Sequence, residues 1–364
     1  MIDRERLVKT FCDLVRIDSP SGEEEAIAQD VARRLTALGL AVQRDAHGNV
    51  IASDAGDAPL LLSAHMDTVD PGRGIRPIVT ADRVHTDGST ILGGDCKAGI
   101  AAILEGLEST IEDGATRIPV QIVVTRGEEI GLEGAKSLDF SMVRATEAVV
   151  FDGHGPVSSL TVATPTYIRF DVSVTGRSAH AGVEPEKGLS AIRIVAEIIA
   201  GLPQGRLDEE TTFNTGLVSG GAVRNAVPEA ASFSGEFRSR NPDTLEGVKA
   251  RLLESLDEAR RRHPEAVIQE RLEIEFQGYA LDDDDPVLAR VMRIVAGLGM
   301  EPTLAASGGG TDANIFSVHG TRSVVVGMST RNMHTTREYV DIADLVAAAQ
   351  FCQALLTDPE AAHG

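Results

Sequence analysis

Residues 59–69 read PLLLSAHMDTV. The run Pro59–Ala64 is almost wholly apolar and shows no alternation of polar and apolar side chains. A strand with one wet face alternates with period two, whereas a strand covered on both faces does not. The stretch therefore predicts a strand inside a sheet that has helices on both sides. The same texture recurs at Val120–Thr125, Ala148–Phe151 and Val324–Val326. Between these runs lie helical patterns at Cys96–Leu107, Pro286–Leu298 and Ile342–Leu356. Strands alternating with helices imply an α/β fold with a mixed, mostly parallel sheet flanked by helices.

Upstream, Leu7, Phe11, Leu14 and Val15 mark an amphipathic helix. Ser21-Gly-Glu-Glu24 reads as a capping box opening a second helix with Ile27, Val31, Leu35 and Leu38 on one face, stopped by Gly39. Short strands are expected at Ala41–Gln43 and Asn49–Ala52. The texture changes after about Thr164. Tyr167–Val174 alternates with period two, the mark of a half-solvated antiparallel strand. Helix Ala191–Ile199, strands Phe213–Ser219 and Ala231–Arg238, helix Leu245–Arg262 and strand Leu272–Gln277 follow. That βαββαβ order predicts an inserted α+β, ferredoxin-like domain. The expected division is 1–163 and 280–364 for one domain and 164–279 for the insert. Asp358–Gly364 reads as a frayed tail.

Length and composition agree. The chain has 364 residues, which at about 150 per domain suggests roughly two domains. Its net charge of −21 argues against a nucleic-acid partner and against adsorption to an anionic membrane. The same charge suits an acidic cleft holding divalent cations. Cys12, Cys96 and Cys352 are too few and too far apart for a disulfide framework. The charged N-terminal stretch lacks a signal peptide's apolar core, and no uncharged run nears a membrane span of about 18 residues. A cytoplasmic location is the expectation.

Five places bring metal-binding or acid–base groups to the ends of these elements. His65 and Asp67 follow the first buried strand, where open α/β sheets collect their sites. An imidazole can ligate a transition metal while a nearby Asp fixes its tautomer, although a satisfied histidine at a strand end reads the same way. In Gly93-Gly-Asp95-Cys-Lys the acid stands at a helix start, where it is either a cap or a carboxylate shared by two cations. Glu128 and Glu129 follow a buried strand directly. Two such acids repel unless one holds a proton or a cation is near. Asp152 ends another strand, and His334 follows the last apolar strand. Two imidazoles and three carboxylates, with a spare Glu, match two divalent cations sharing one carboxylate. Oxygen and nitrogen ligands without thiolate favour zinc, with manganese or cobalt as substitutes.

These motifs resemble the co-catalytic zinc metallopeptidases of the aminoacylase/carboxypeptidase/peptidase T superfamily, and most nearly those of the peptidase T type. The resemblance runs through His65-Met-Asp67-Thr-Val, Gly94-Asp95-Cys-Lys97-Ala-Gly and Glu128-Glu129, in order, over nearly the whole chain. It implies that His65, Asp95 and Asp152 hold one zinc and that Asp95, Glu129 and His334 hold the other. Asp67 would orient His65, and Glu128 would be the general base and acid. An Asp at position 152 goes with aminopeptidases and dipeptidases in this superfamily, a Glu with carboxypeptidases and deacylases. In Gly176-Arg-Ser-Ala-His180, the resemblance makes His180 the oxyanion donor. Asn225, Arg238 and the glycines Gly309 and Gly310 resemble groups that contact substrate.

The implied activity is metal-dependent hydrolysis of short peptides from the amino end. The alternatives are an N-acyl amino acid amidohydrolase or carboxypeptidase, and a non-catalytic metal-dependent peptide-binding protein. A homodimer through the inserted domain is the partner the resemblance allows. Three positions depart from its pattern. Gly308 stands where peptidase T carries an Arg, Cys96 replaces an acid or amide, and His154 has no counterpart.

Overall fold

A computed structural model describes residues 1–56 and 60–358 of the chain. The expected frayed tail lies outside them beyond Asp358, as does Pro59. The chain forms two compact units. The first comprises Met1–Val162, Ala280–Ser307 and the residues from Thr311 onward; the second comprises Ala163–Tyr279 with Gly308–Gly310.

In the first unit the central strands run in the order Ala41–Arg44, Val50–Ser53, Val120–Thr125, Leu60–His65, Glu147–Gly153 and Arg322–Gly327. Leu60–His65 pairs in parallel with both of its neighbours, and Arg322–Gly327 pairs in parallel with Glu147–Gly153. Val50–Ser53 runs antiparallel at one flank. The sheet is thus mixed with a parallel centre. Every residue of Leu60–His65 and of Val120–Thr125 is buried, which is the physical reason their sequences carry no alternation.

Helix Gly94–Glu112 lies within the core and packs on helix Ile342–Leu356, where Gly106 meets Cys352 and the Ala349 carbonyl. Asp95 and Cys96 depart from helical geometry at its start. Gly99 sits so close to strand Glu147–Gly153 that a Cβ there would collide with the Phe151 carbonyl and side chain.

Some local expectations are corrected. Ser21 does not cap the second helix, because its hydroxyl donates to Asp67 Oδ2 at 2.6 Å, and the helix begins at Glu25. The Glu24 side chain, expected to close the box, turns to Arg126 instead. A small sheet of Ile78–Val79, Arg83–His85, Tyr339–Asp341 and Thr330–Arg331, and the short helix Asp312–Val318, were not foreseen. Strands of two or three residues are too short to display a period.

The second unit is an antiparallel sheet ordered Thr211–Gly220, Ala230–Ser239, Thr166–Thr175, Val267–Phe276, with Gly205–Arg206 on the outer side of the first. Ile168, Phe170, Val172 and Val174 point inward and the residues between them outward. They join Phe213, Phe233 and Phe237 and the apolar stripes of helices Ala191–Gly201 and Pro242–Arg262 in a separate core. Among the described residues no helix is long and apolar enough to cross a membrane.

Gly99→Val should destabilise the protein by at least the roughly 1–3 kcal/mol typical of overpacking, since the obstacle is main chain. Urea denaturation of variant and parent measures this.

Candidate metal centre

Three strands and two irregular segments deliver the site. Parallel register sets His65, the last residue of its strand, opposite Thr125, three residues before Glu128. Asp152 lies near the end of strand Glu147–Gly153. Asp95 occupies the non-helical first turn of its helix. His334 comes from the loop between Thr330–Arg331 and Tyr339–Asp341, with φ at 61°.

All five meet in the first unit. His65 Nε2 lies 3.1 Å from Asp95 Oδ1 and 3.6 Å from Asp152 Oδ1. His334 Nε2 lies 3.1 Å from Asp95 Oδ2 and 3.0 Å from Glu129 Oε1. Among the described residues three groups of donors result, His65/Asp95/Cys96/Asp152, Asp95/Glu129/His334 and His65/Glu128/Glu129, with Asp95 common to the first two. Glu128 stands beside His65 and Glu129. The Cys96 sulfur belongs to the first group, but its thiol donates to the Phe151 carbonyl, and burial raises its pKa well above the usual thiol value.

The electrostatics are those of crowded acids. Burial, then the Asp152 and other nearby carboxylates, raises Glu128 well above the usual range. Burial, aided by Asp95 and Asp312, pushes Asp152 up to about 7. For Asp95 burial works the same way, yet the contacts with His334 and His65 hold it well below the ordinary value. His334 is pushed up to about 10 by Asp95 and then Glu129. Protonated imidazoles here do part of what a cation would do. Imidazole nitrogens and carboxylate oxygens converging in a repelling cluster are a donor set that fits divalent ions.

Other buried acids hold the loops in place. Asp67 accepts the main-chain N–H groups of Glu128 at 3.0 Å and Glu129 at 3.2 Å, and its Oδ1 lies 3.3 Å from His65 Nδ1. Glu24 accepts from Gly127 N at 3.1 Å and from Arg126 Nε at 2.9 Å. Glu338 accepts from three main-chain N–H groups at Leu92, Gly93 and Asp95. Asp312 hydrogen-bonds the Thr125 hydroxyl through Oδ2, and burial pushes it up to about 6. The sequence marked Glu24 only as a helix-cap acid and Asp312 only as part of a Gly-rich turn, and assigned Glu338 no role. Their partners, main-chain amides, a distant hydroxyl and the Arg126 guanidinium, leave no spacing pattern.

The remaining candidates lie in the second unit. His180 forms a bridge with Ala226, next to Asn225, whose carbonyl accepts from Ala181 N at 3.0 Å. His180 Nδ1 accepts the Gly182 N–H at 3.2 Å, which leaves the ring proton on Nε2. Arg238 donates to Glu236 at 2.6 Å and to the Gly308 carbonyl at 3.1 Å, and lies 4.2 Å over the Tyr167 ring. Gly310 packs against the Phe276 ring with no room for a side chain, and Gly309 precedes it. His154 is exposed.

Fold and site together define a metallopeptidase. Residues 49–156 match the model of peptidase family M28, and residues 162–264 match that of a peptidase dimerisation domain. The chain is 36% identical to the uncharacterized protein YqjE of Bacillus subtilis, over 98% of this chain and 99% of that one. The crystal structure of aminopeptidase PepT from Bacillus cereus superposes with a TM-score of 0.90 at 34% identity, covering 98% of each chain. A tripeptidase from Staphylococcus aureus superposes at 0.93 with 31% identity, again over 98% of each. The chain belongs to the peptidase T-like family of metallopeptidases.

The raised His334 pKa has a stability consequence in metal-stripped protein. A raised value means that folding favours the proton, so the contribution is complete below the ordinary value of 6.5 and is lost as pH rises through about 10. Thermal denaturation of chelator-treated protein between pH 6 and pH 10 should show this loss, and His334→Ala should flatten it.

Proposed function

We propose that the protein is an aminopeptidase acting on short peptides with two divalent cations, zinc by the chemistry of the ligands. The observation that carries the reading is Asp95, whose two carboxylate oxygens each face a different imidazole at 3.1 Å. In this reading His65, Asp95 and Asp152 hold one ion, and Asp95, Glu129 and His334 hold the other. When bound, the ions supply Lewis acidity, lowering the pKa of the attacking water and polarising the scissile carbonyl.

Glu128 takes the proton from that water. Its amide is fixed by Asp67, so the carboxylate arrives in one orientation. As the water oxygen bonds to the carbonyl carbon, negative charge grows on the carbonyl oxygen. His180 donates its Nε2–H there; the tautomer this needs is the one its Gly182 contact selects. The C–N bond then breaks and Glu128 passes its proton to the leaving amine. Asp67 acts through His65 and through the Glu128–Glu129 main chain. Asn225 and Arg238, with Gly309 and Gly310, contact the peptide; Glu236 and Tyr167 hold the Arg238 guanidinium for that task.

An Asp at position 152 favours a free amino terminus over an N-acyl or carboxypeptidase substrate. The acidic cluster supports this, since an α-ammonium group is attracted to it. The second unit supports a homodimer. Beyond Gly205–Arg206 the outer edge of strand Thr211–Gly220 has no further strand among the described residues, and Leu217, Val218 and Val223 are exposed around it.

Two outcomes are expected. Glu128→Ala should retain up to two ions per chain by elemental analysis, while kcat falls by at least the roughly 10²–10⁴-fold typical of a lost general base. In a panel of di- and tripeptides with zinc, manganese or cobalt, free-amine substrates should be cleaved at the amino-terminal bond and their N-acetylated counterparts spared. Preferential cleavage of the blocked forms would instead support the amidohydrolase reading.

A further inference from the structure

Glu338 is buried and is not one of the groups assigned above to ions or substrate. Its Oε2 accepts the main-chain N–H groups of Leu92 and Gly93, each at 2.8 Å, and its Oε1 accepts that of Asp95 at 3.1 Å. The three donors converge because Gly93 takes φ at 70°, which turns successive amides toward one side. Such a concavity of amides is an anion nest, and here the chain fills it with its own carboxylate. Glycine at 94 makes room: a Cβ there would stand 3.2 Å from Glu338 Oε1 and closer still to Val340. At its main-chain end, Glu338 N donates to the Thr335 carbonyl at 3.0 Å, one residue past His334. One residue therefore ties the turn that presents Asp95 to the loop that presents His334.

We propose that Glu338 is a positioning residue for ion binding, setting the approach of Asp95 to His334. This rests on the reading of those two residues as ligands. The Glu338 carboxyl group orients Asp95 through the Asp95 peptide nitrogen. Partners of this kind are worth about 10–100-fold in metal affinity.

The test compares the full-length parent with Glu338→Gln, which is similar in shape but turns an NH₂ group toward N–H donors. Zinc affinity is measured by competition with a chelating dye, without peptide. Amide hydrogen exchange of residues 92–95 is followed in chelator-stripped protein. The proposal expects about 10–100-fold weaker binding of the more loosely held ion, faster exchange at 92–95, and recovery of kcat at high zinc with KM for peptide unchanged. Parent-like zinc affinity in folded Glu338→Gln overturns it. If Glu338→Gln does not fold, Glu338→Asp decides. That variant keeps the acceptor one methylene short, so weakened zinc binding supports the proposal and unchanged binding overturns it. A parent that binds no zinc would overturn the ligand reading itself, a result distinct from both.

Discussion

Like charges forced together in a dry place govern this molecule. Asp95, Asp152, Glu128 and Glu129 converge with two imidazoles at the end of the sheet's parallel centre, and Asp95 on one side and Asp152 and Glu128 on the other carry opposite displacements of their proton affinity. Asp95 is held ionised by two facing histidines while Asp152 and Glu128 are driven toward the neutral form. The fold must supply enough rigidity to hold that arrangement against its own repulsion.

It does so largely with backbone. Asp67, Glu24 and Glu338 are buried acids turned onto main-chain N–H groups of the segments that carry Glu128, Glu129 and Asp95. A carboxylate accepting amide hydrogens, as Glu338 does, is satisfied without a cationic partner and fixes main chain, while Glu24 adds the Arg126 guanidinium to its amide contact. The parallel register of Leu60–His65 with Val120–Thr125 completes the frame. Loops rich in glycine are thus made stiff where the chemistry needs them.

The parts of this design differ in how openly the sequence declares them. The buried strands were legible because two-sided burial removes polar alternation, and the second unit because one-sided burial restores it, as in Tyr167–Val174. His65, Asp152 and the Glu128–Glu129 pair stand at or just after the ends of those strands, which drew the eye to them, whereas Asp95 stands at a helix start and His334 in a loop. Ser21 misled because a serine followed by Glu24 has the form of a helix cap, whereas a partner distant in sequence, Asp67, claims its hydroxyl. Glu24 and Glu338 were not legible for the converse reason. A side chain that bonds peptide nitrogens can choose any residue type as its partner, so no pattern marks it.

The close approach of Gly99 to Phe151 reaches further than packing. Gly99 lies four residues after Asp95, and Phe151 immediately precedes Asp152. A missing methyl group between them acts as a gauge block for the gap between those two carboxylates. The spacing of two acids on different elements is thereby written into a glycine that belongs to neither.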